Sequence, residues 1–231
     1  QQEFQVATVK PSAPDTPRQT QIRGNKFATT GTTLFDLLIY AYNVHASQIV
    51  GGPDWMQTAK FDVLADPETE KRPSSDEMKA MVGRLVGDRF HLVLHREKRE
   101  LPVFAIVRVG MQIKFVRNDS DPHGIPAGAL VAPGFLSVRN STMTNFAAFM
   151  QRFASAEISR PVVDQTGIQG HYDFDLHYTP ANAPANAQDA DRNAPPVLFT
   201  AIQEQLGLKL QPTRAPVDVL LVQSVSMPSP N

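Results

Sequence analysis

The sequence predicts an α+β protein: two tandem β-α-β-β-α-β-β units, each a mostly antiparallel sheet with two helices on one face. Three observations lead there. Four segments place apolar residues at the i, i+3, i+4 spacing of amphipathic helices. Short segments between them alternate or run apolar, as strands do. The order of these segments in the first half returns in the second, the mark of an internal repeat.

Residues 4–10 (F-Q-V-A-T-V-K) alternate and end at Pro11, which cannot donate to a ladder, so they read as a short strand or arm. Pro11, Pro14 and Pro17 stiffen the connector that follows. A first helix opens at Thr32 or Thr33, with Leu34, Leu37, Leu38, Ala41 and Tyr42 on one stripe. A short strand over 48–50 precedes the break Gly51-Gly52-Pro53, and 61–65 resumes as strand. Ser74 and Glu77 have the spacing of a capping box, opening a second helix with Met78, Met81, Val82, Leu85 and Val86 inward. Strands over 90–96 and 103–109 follow, the charged run 96–100 forming the turn between them. Residues 112–116 offer a further strand.

The Gly-, Pro- and Asp-rich stretch 118–134 reads as the seam. Beyond it 136–138 is a strand, and Ser141 or Thr142 caps a helix facing Met143, Phe146, Ala147, Met150 and Phe153 inward. A short strand over 161–164 leads to turns at Gly167 and Gly170 and to the strand 171–178. A polar, Pro-rich loop spans 180–196. The last helix carries Leu198, Ala201, Ile202 and Leu206 and stops at Gly207, and strands over 208–212 and 217–225 close the copy. The expected organisation is therefore 1–26 arm and connector, 27–117 first unit, 118–134 connector, and 135–231 second unit. Gly31-Thr32-Thr33-Leu34 lies over Asn140-Ser141-Thr142-Met143, Phe61-Asp62-Val63 over Tyr172-Asp173-Phe174, and Leu101-Pro102-Val103 over Ala215-Pro216-Val217.

With 42% hydrophobic and 19% charged residues the chain has the composition of a folded protein. Its net charge of −1 supplies no drive toward nucleic acid or anionic lipid. The absence of cysteine excludes disulfide scaffolds, thiolate zinc sites and thiol nucleophiles. No apolar run reaches the roughly 18 residues of a membrane span. The chain opens at Gln1 without an initiator Met, from which a cleaved signal peptide and an exported protein are expected.

Candidate chemistry is sparse. His91 and His95 on a strand stand about 13 Å apart, too far to share an ion. His171, Asp173, Asp175 and His177 share one strand face, where the two carboxylates suit a hard cation or acid–base work, against the simpler reading of a solvated polar face. Trp55, the only tryptophan, reads as an anchor for its glycine-rich loop or a platform for a ligand. No G-x-S-x-G elbow, phosphate loop, dinucleotide fingerprint or H-E-x-x-H is present, and no cofactor is expected. In the arm, Phe4, Val6 and Thr8 fall on one side, poised to dock on a sheet edge of this subunit or a neighbour.

Several stretches together resemble the "soil-associated" family of exported bacterial proteins. They are Phe4-Gln5-Val6-Ala7-Thr8-Val9-Lys10-Pro11-Ser12; Gly51-Gly52-Pro53-Asp54-Trp55 with Phe61-Asp62-Val63; and Arg89-Phe90-His91-Leu92 with His95-Arg96-Glu97. Further along they are Arg160-Pro161-Val162-Val163-Asp164-Gln165-Thr166-Gly167 with Gly170-His171-Tyr172-Asp173-Phe174; Gln203-Glu204-Gln205-Leu206-Gly207-Leu208-Lys209-Leu210; and the tail 228–231. Gln223 departs from the acid usual in that family. The resemblance implies export and, in some relatives, attachment to membrane-embedded sensor peptidases; it brings no catalytic residues. Each half is also similar in topology to the short modules at the front of secretins and TonB-dependent receptors, which dock other proteins. The expected function is a non-enzymatic binding or self-assembly module acting on protein, including copies of itself, by strand addition. The alternatives are a secreted hydrolase using Asp173 and Asp175, or a carbohydrate or small-ligand binder centred on Trp55.

Overall fold

A computed structural model describes residues 3–23, 25–67, 73–120, 128–132, 134–153, 157–181, 183 and 195–228. Residues 182 and 184–194 of the expected loop, and the side chain of Phe153, lie outside the described residues. The protein is α+β, with mostly antiparallel sheets. It divides into two compact units: Gln1–Arg99 with Val217–Asn231, and Glu100–Pro216.

In the first unit, β1 (Phe4–Pro11), β2 (Gln19–Arg23), β3 (Lys26–Thr33) and β5 (Lys60–Pro67) form an antiparallel sheet ordered β1-β5-β3-β2. Two main helices pack together, α1 (Leu34–Tyr42) and α3 (Ser75–Phe90). Thr33 caps α1 in a capping box with Asp36, and Ser74 caps α3 in one with Glu77, so each helix start satisfies its own orphan N–H groups. Leu34, Leu37 and Leu38 of α1 and Met78, Met81, Val82, Leu85 and Val86 of α3 are buried with Phe27, Phe61 and Val63 of the sheet. The short α2 (Trp55–Thr58) and β4 (Ile49–Val50) complete this part, β4 pairing in parallel with Leu220 and Leu221.

In the second unit, β7 (Val116–Arg117), β8 (Gly128–Ala132), β9 (Phe135–Ser141) and β11 (Tyr172–His177) form a sheet ordered β7-β11-β9-β8. Its helices are α4 (Met143–Phe153) and α5 (Leu198–Ala201), the latter running into a π-helical turn, Ile202–Leu206, that stops at Gly207 (φ 69°). β10 (Val162–Asp164) pairs in parallel with Phe104–Ile106. Met143, Phe146, Phe174, Leu176, Leu198 and Ile202 lie in its core.

The internal geometry recurs. Thr29 faces Val63 and Thr32 faces Phe61, with a bulge between; Val138 faces Phe174 and Ser141 faces Tyr172, with a bulge at the same place. The residue before each helix-proximal pair is left-handed, Gly31 at φ 59° and Asn140 at φ 47°. An aspartate accepts from each of those backbone N–H groups, Asp62 from Gly31 at 2.9 Å and Asp173 from Asn140 at 2.7 Å. The preceding hairpins match as well: Gln19–Thr30 and Ile22–Phe27 in one, Gly128–Arg139 and Val131–Leu136 in the other.

Several expectations are corrected. The run 96–100 is not a turn: β6 (Val93–Arg108) is one strand of 16 residues. Arg-Glu-Lys-Arg-Glu holds no Gly, Asn, Asp or Pro to set a reversal, and charged side chains in water leave a ladder intact. β12 (Leu208–Ser224) likewise runs 17 residues through Pro212 and Pro216, each of which removes only one ladder donor. The unit division therefore falls inside β6 and β12, where 27–117 and 135–231 were expected to separate at 118–134. That stretch contributes β8 to a sheet. Phe90 closes α3, and His91, its left-handed cap (φ 46°), is not a strand residue. Of residues 112–116, only Val116 is in a strand; Lys114 N donates to Leu206 O, and the Phe115 ring packs on Tyr172 and Phe174.

The arm is also reversed. β1 pairs with β5 of the same chain, with a register shift between Phe4 and Val6. One extra residue flips the faces beyond it. Val9 is buried and Ala7 packs on the core, while Val6 is 59% exposed.

Candidate functional site

The face foreseen on β11 exists as geometry. Tyr172, Phe174 and Leu176 point into the core and Asp175 and His177 out, as alternation dictates. Asp173 is committed to the fold: its Oδ1 accepts from Asn140 N at 2.7 Å and from Asn118 Nδ2 at 2.8 Å. Asp175 pairs with Arg139 (Nη2–Oδ1 2.8 Å). The same guanidinium donates through Nη1 to the carbonyls of Val138 and Phe174, at 2.8 and 3.0 Å. The Asp175 carboxyl is held below its ordinary range, first by a hydrogen bond from Ser137, with burial opposing it and Arg139 and His177 adding smaller lowering effects. It is therefore an ionised ion-pair partner at neutral pH, unlike a carboxyl whose raised pKa keeps a proton to donate as a general acid.

The His177 ring packs tilted against Phe135 (centroids 4.8 Å apart, planes at 39°), and its backbone N and O both bond the Gln205 side chain, at 3.0 and 2.7 Å. His171 lies just before β11, its carbonyl accepting from Asn118 N at 2.8 Å. The four side chains share a face, and each aspartate already has partners. Among the described residues, no three His, Cys, Asp or Glu gather as a metal site would require. Trp55 opens α2, half-buried against the first core and stacked on Phe90 at 6.3 Å. Phe4 and Thr8 are partly buried within β1.

A different element presents an open edge. α3 ends at Phe90, whose carbonyl accepts from Ser226 N at 2.8 Å, and His91 Nδ1 lies 3.1 Å from Ser226 Oγ. With its start anchored, β6 runs outward from Val93. Leu92 and Leu94 pack on the core, while Val93, His95, Arg96, Lys98 and Arg99 are exposed. The neighbours of β6 are β10 and β12, and β10 reaches only Phe104–Ile106. Along residues 93–99 one side of β6 thus has no strand partner among the described residues. Sequence reading missed this edge by bending it into a hairpin; the lack of turn residues in 96–100 was the signal.

No described helix is long and apolar enough to cross a membrane. A family model described as "Protein of unknown function (DUF3738)" matches residues 35–225. No curated protein and no solved structure matches the chain.

Proposed function

The chain belongs to the DUF3738 family, and we propose that it is an exported, non-enzymatic module that binds protein by strand addition along residues 93–99 of β6. Copies of itself are the first candidate partner. The observation that carries this reading is the unpaired side of a well-anchored strand, which offers N–H and C=O groups to an incoming chain. The charged side chains Arg96, Glu97, Lys98 and Arg99, with the polar His95, guard the edge against indiscriminate pairing and favour a partner of matched charge.

The hydrolase alternative draws little support, because Asp173 is a bulge anchor and Asp175 an ionised ion-pair partner. Export, and kinship with the soil-associated family and the docking modules of secretins and TonB-dependent receptors, rest on the residue resemblances and the topology given above. The recurring bulge, left-handed residue and aspartate support reading the units as two copies of one ancestral unit.

Sedimentation of the full chain across a wide concentration range, with amide exchange followed in parallel, tests the proposal. Self-association accompanied by slowed exchange confined to residues 93–99 is expected. A chain that associates with those amides still exchanging freely, or that stays monomeric at the highest concentration, would count against self-assembly at this edge.

A further inference from the structure

In the first unit an open groove of about 470 Å³ lies among the end of α1, the outer face of α3 and Arg96 of β6. That volume falls in the range of small-ligand sites. Its floor is made of small residues, Ala41, Ala80 and Gly83. Its rim carries three cations, Lys79, Arg84 and Arg96, and one acid, Asp76.

The partners of these charges decide what the groove can take. Lys79 and Asp76 pair with each other at 3.1 Å. Arg96 lays its guanidinium over the Tyr42 ring at 5.1 Å and forms no ion pair among the described residues. Arg84 comes no nearer than 3.9 Å to Glu3, beyond hydrogen-bond reach, and its buried Nε has no hydrogen-bond partner among the described residues. The exposed guanidinium of Arg96, without an ion pair, is best answered by a carboxylate or phosphate fork.

We infer that this groove binds a carboxylate side chain of an acidic peptide segment from a partner protein, with Arg84 and Arg96 supplying the cations. The charge balance selects a carboxylate over a phosphate group. Asp76 on the rim and Glu3 beside Arg84 leave about one uncompensated positive charge, matched by a monoanion and too little for a dianion. The small floor and the Tyr42 ring receive the methylenes of a glutamate and the adjoining backbone. The inference stands on the groove alone and does not require strand addition at β6.

The test uses the full chain and a fluorescent N-acetylated tetraglutamate peptide, its glutamine counterpart, and a backbone N-methylated tetraglutamate. The glutamate peptide should bind at least about tenfold more tightly than the glutamine one, and Arg96→Gln should weaken it about tenfold. Arg96 is exposed, so that variant should melt with the parent; Arg84→Gln, partly buried, provides a second reading alongside its own melt. The N-methylated peptide should retain its affinity, since it keeps the carboxylates while losing the donors a strand needs. Equal binding of the glutamate and glutamine peptides, an Arg96→Gln variant that binds like the parent, or displacement of the peptide by inorganic phosphate at equal concentration would overturn the inference. Loss of binding on N-methylation alone would assign the peptide to the β6 edge and overturn it as well.

Discussion

Removing the Asp173 carboxylate separates a structural role from a catalytic one. In Asp173→Ala, the Asn140 N–H loses its 2.7 Å acceptor, and Asn140 is 1% exposed, so water cannot replace it without opening the bulge. A hydrogen bond to an ionised group contributes about 1.5–3 kcal/mol, and the second bond, to Asn118, is partly exposed and adds less. The expected loss is about 2–3 kcal/mol, or about 5–10 °C in melting temperature for a chain of this size. Asp173→Asn keeps an acceptor oxygen and should lose only about 1 kcal/mol. Asp62→Ala should behave like Asp173→Ala, because Asp62 holds Gly31 N at 2.9 Å in the corresponding bulge. Urea unfolding followed by circular dichroism measures all three. If both alanine variants fall within about 0.5 kcal/mol of the parent, the two aspartates do not hold the bulges and the comparison of the units loses its best support.

The same bulge predicts that Gly31→Ala costs more than about 2 kcal/mol in the same assay. The residue is left-handed, and an added Cβ would lie 2.5 Å from the Thr16 carbonyl oxygen. On the arm, Val9→Ala should cost about 1–2.5 kcal/mol, while Val6→Thr stays within about 0.5, because Val9 is buried and Val6 exposed. Asp175→Asn should show a pH-dependent effect. The folded pKa lies below the unfolded value of about 3.9, so the carboxylate's contribution is present above that value and is lost as pH falls through the folded one. For so exposed a pair, less than about 1 kcal/mol should separate parent and variant at pH 7, and that difference should vanish once the Asp175 carboxyl of the parent is protonated in the folded and unfolded chain alike. Finally, a protease site inserted after Ser120 and cleaved in the folded chain should leave both pieces co-eluting, because each unit contains strand from both halves of the sequence. Separation of the pieces in native buffer would refute that arrangement.

Helices were the most legible part of the fold. Caps and apolar stripes are local signals, and Ser74 with Glu77, Thr33 before Leu34, and Gly207 after Leu206 all mark true ends. Long strands were not legible, because Pro102 and Pro216 beside charged runs imitate turns when read one window at a time. What distinguishes them is a neighbour that tolerates a missing donor, and that is a tertiary fact. The face of β1 was misread for a related reason: alternation gives two faces, and only pairing with β5 fixes which is inward after a bulge. The β11 face was placed well by alternation, yet alternation carries no information on what Asp173 bonds. The groove was hidden in an ordinary polar stripe, Asp76, Lys79, Gly83 and Arg84 at helical spacing, and became a site only when Arg96 arrived from β6.

The two units differ in a way that bears on that groove. Met78, Met81, Val82 and Val86 of α3 share their spacing with Leu198, Ala201, Ile202 and Leu206 of α5 and the π-helical turn, and all eight are buried. On the same alignment Lys79 falls on Phe199 and Arg84 on Glu204. The buried stripe and the bulge aspartates occur in both units. The partly buried Lys79 and Arg84 of the first unit correspond on this alignment to an aromatic and an acid in the second. Phe199 instead meets Phe104 edge-on at 5.3 Å, and the Glu204 carbonyl accepts from Lys114 Nζ at 2.8 Å. Folding alone would leave the polar positions of both units free to drift toward any soluble residue. The groove lies within the first unit, so acidic-peptide binding should be confined to that unit.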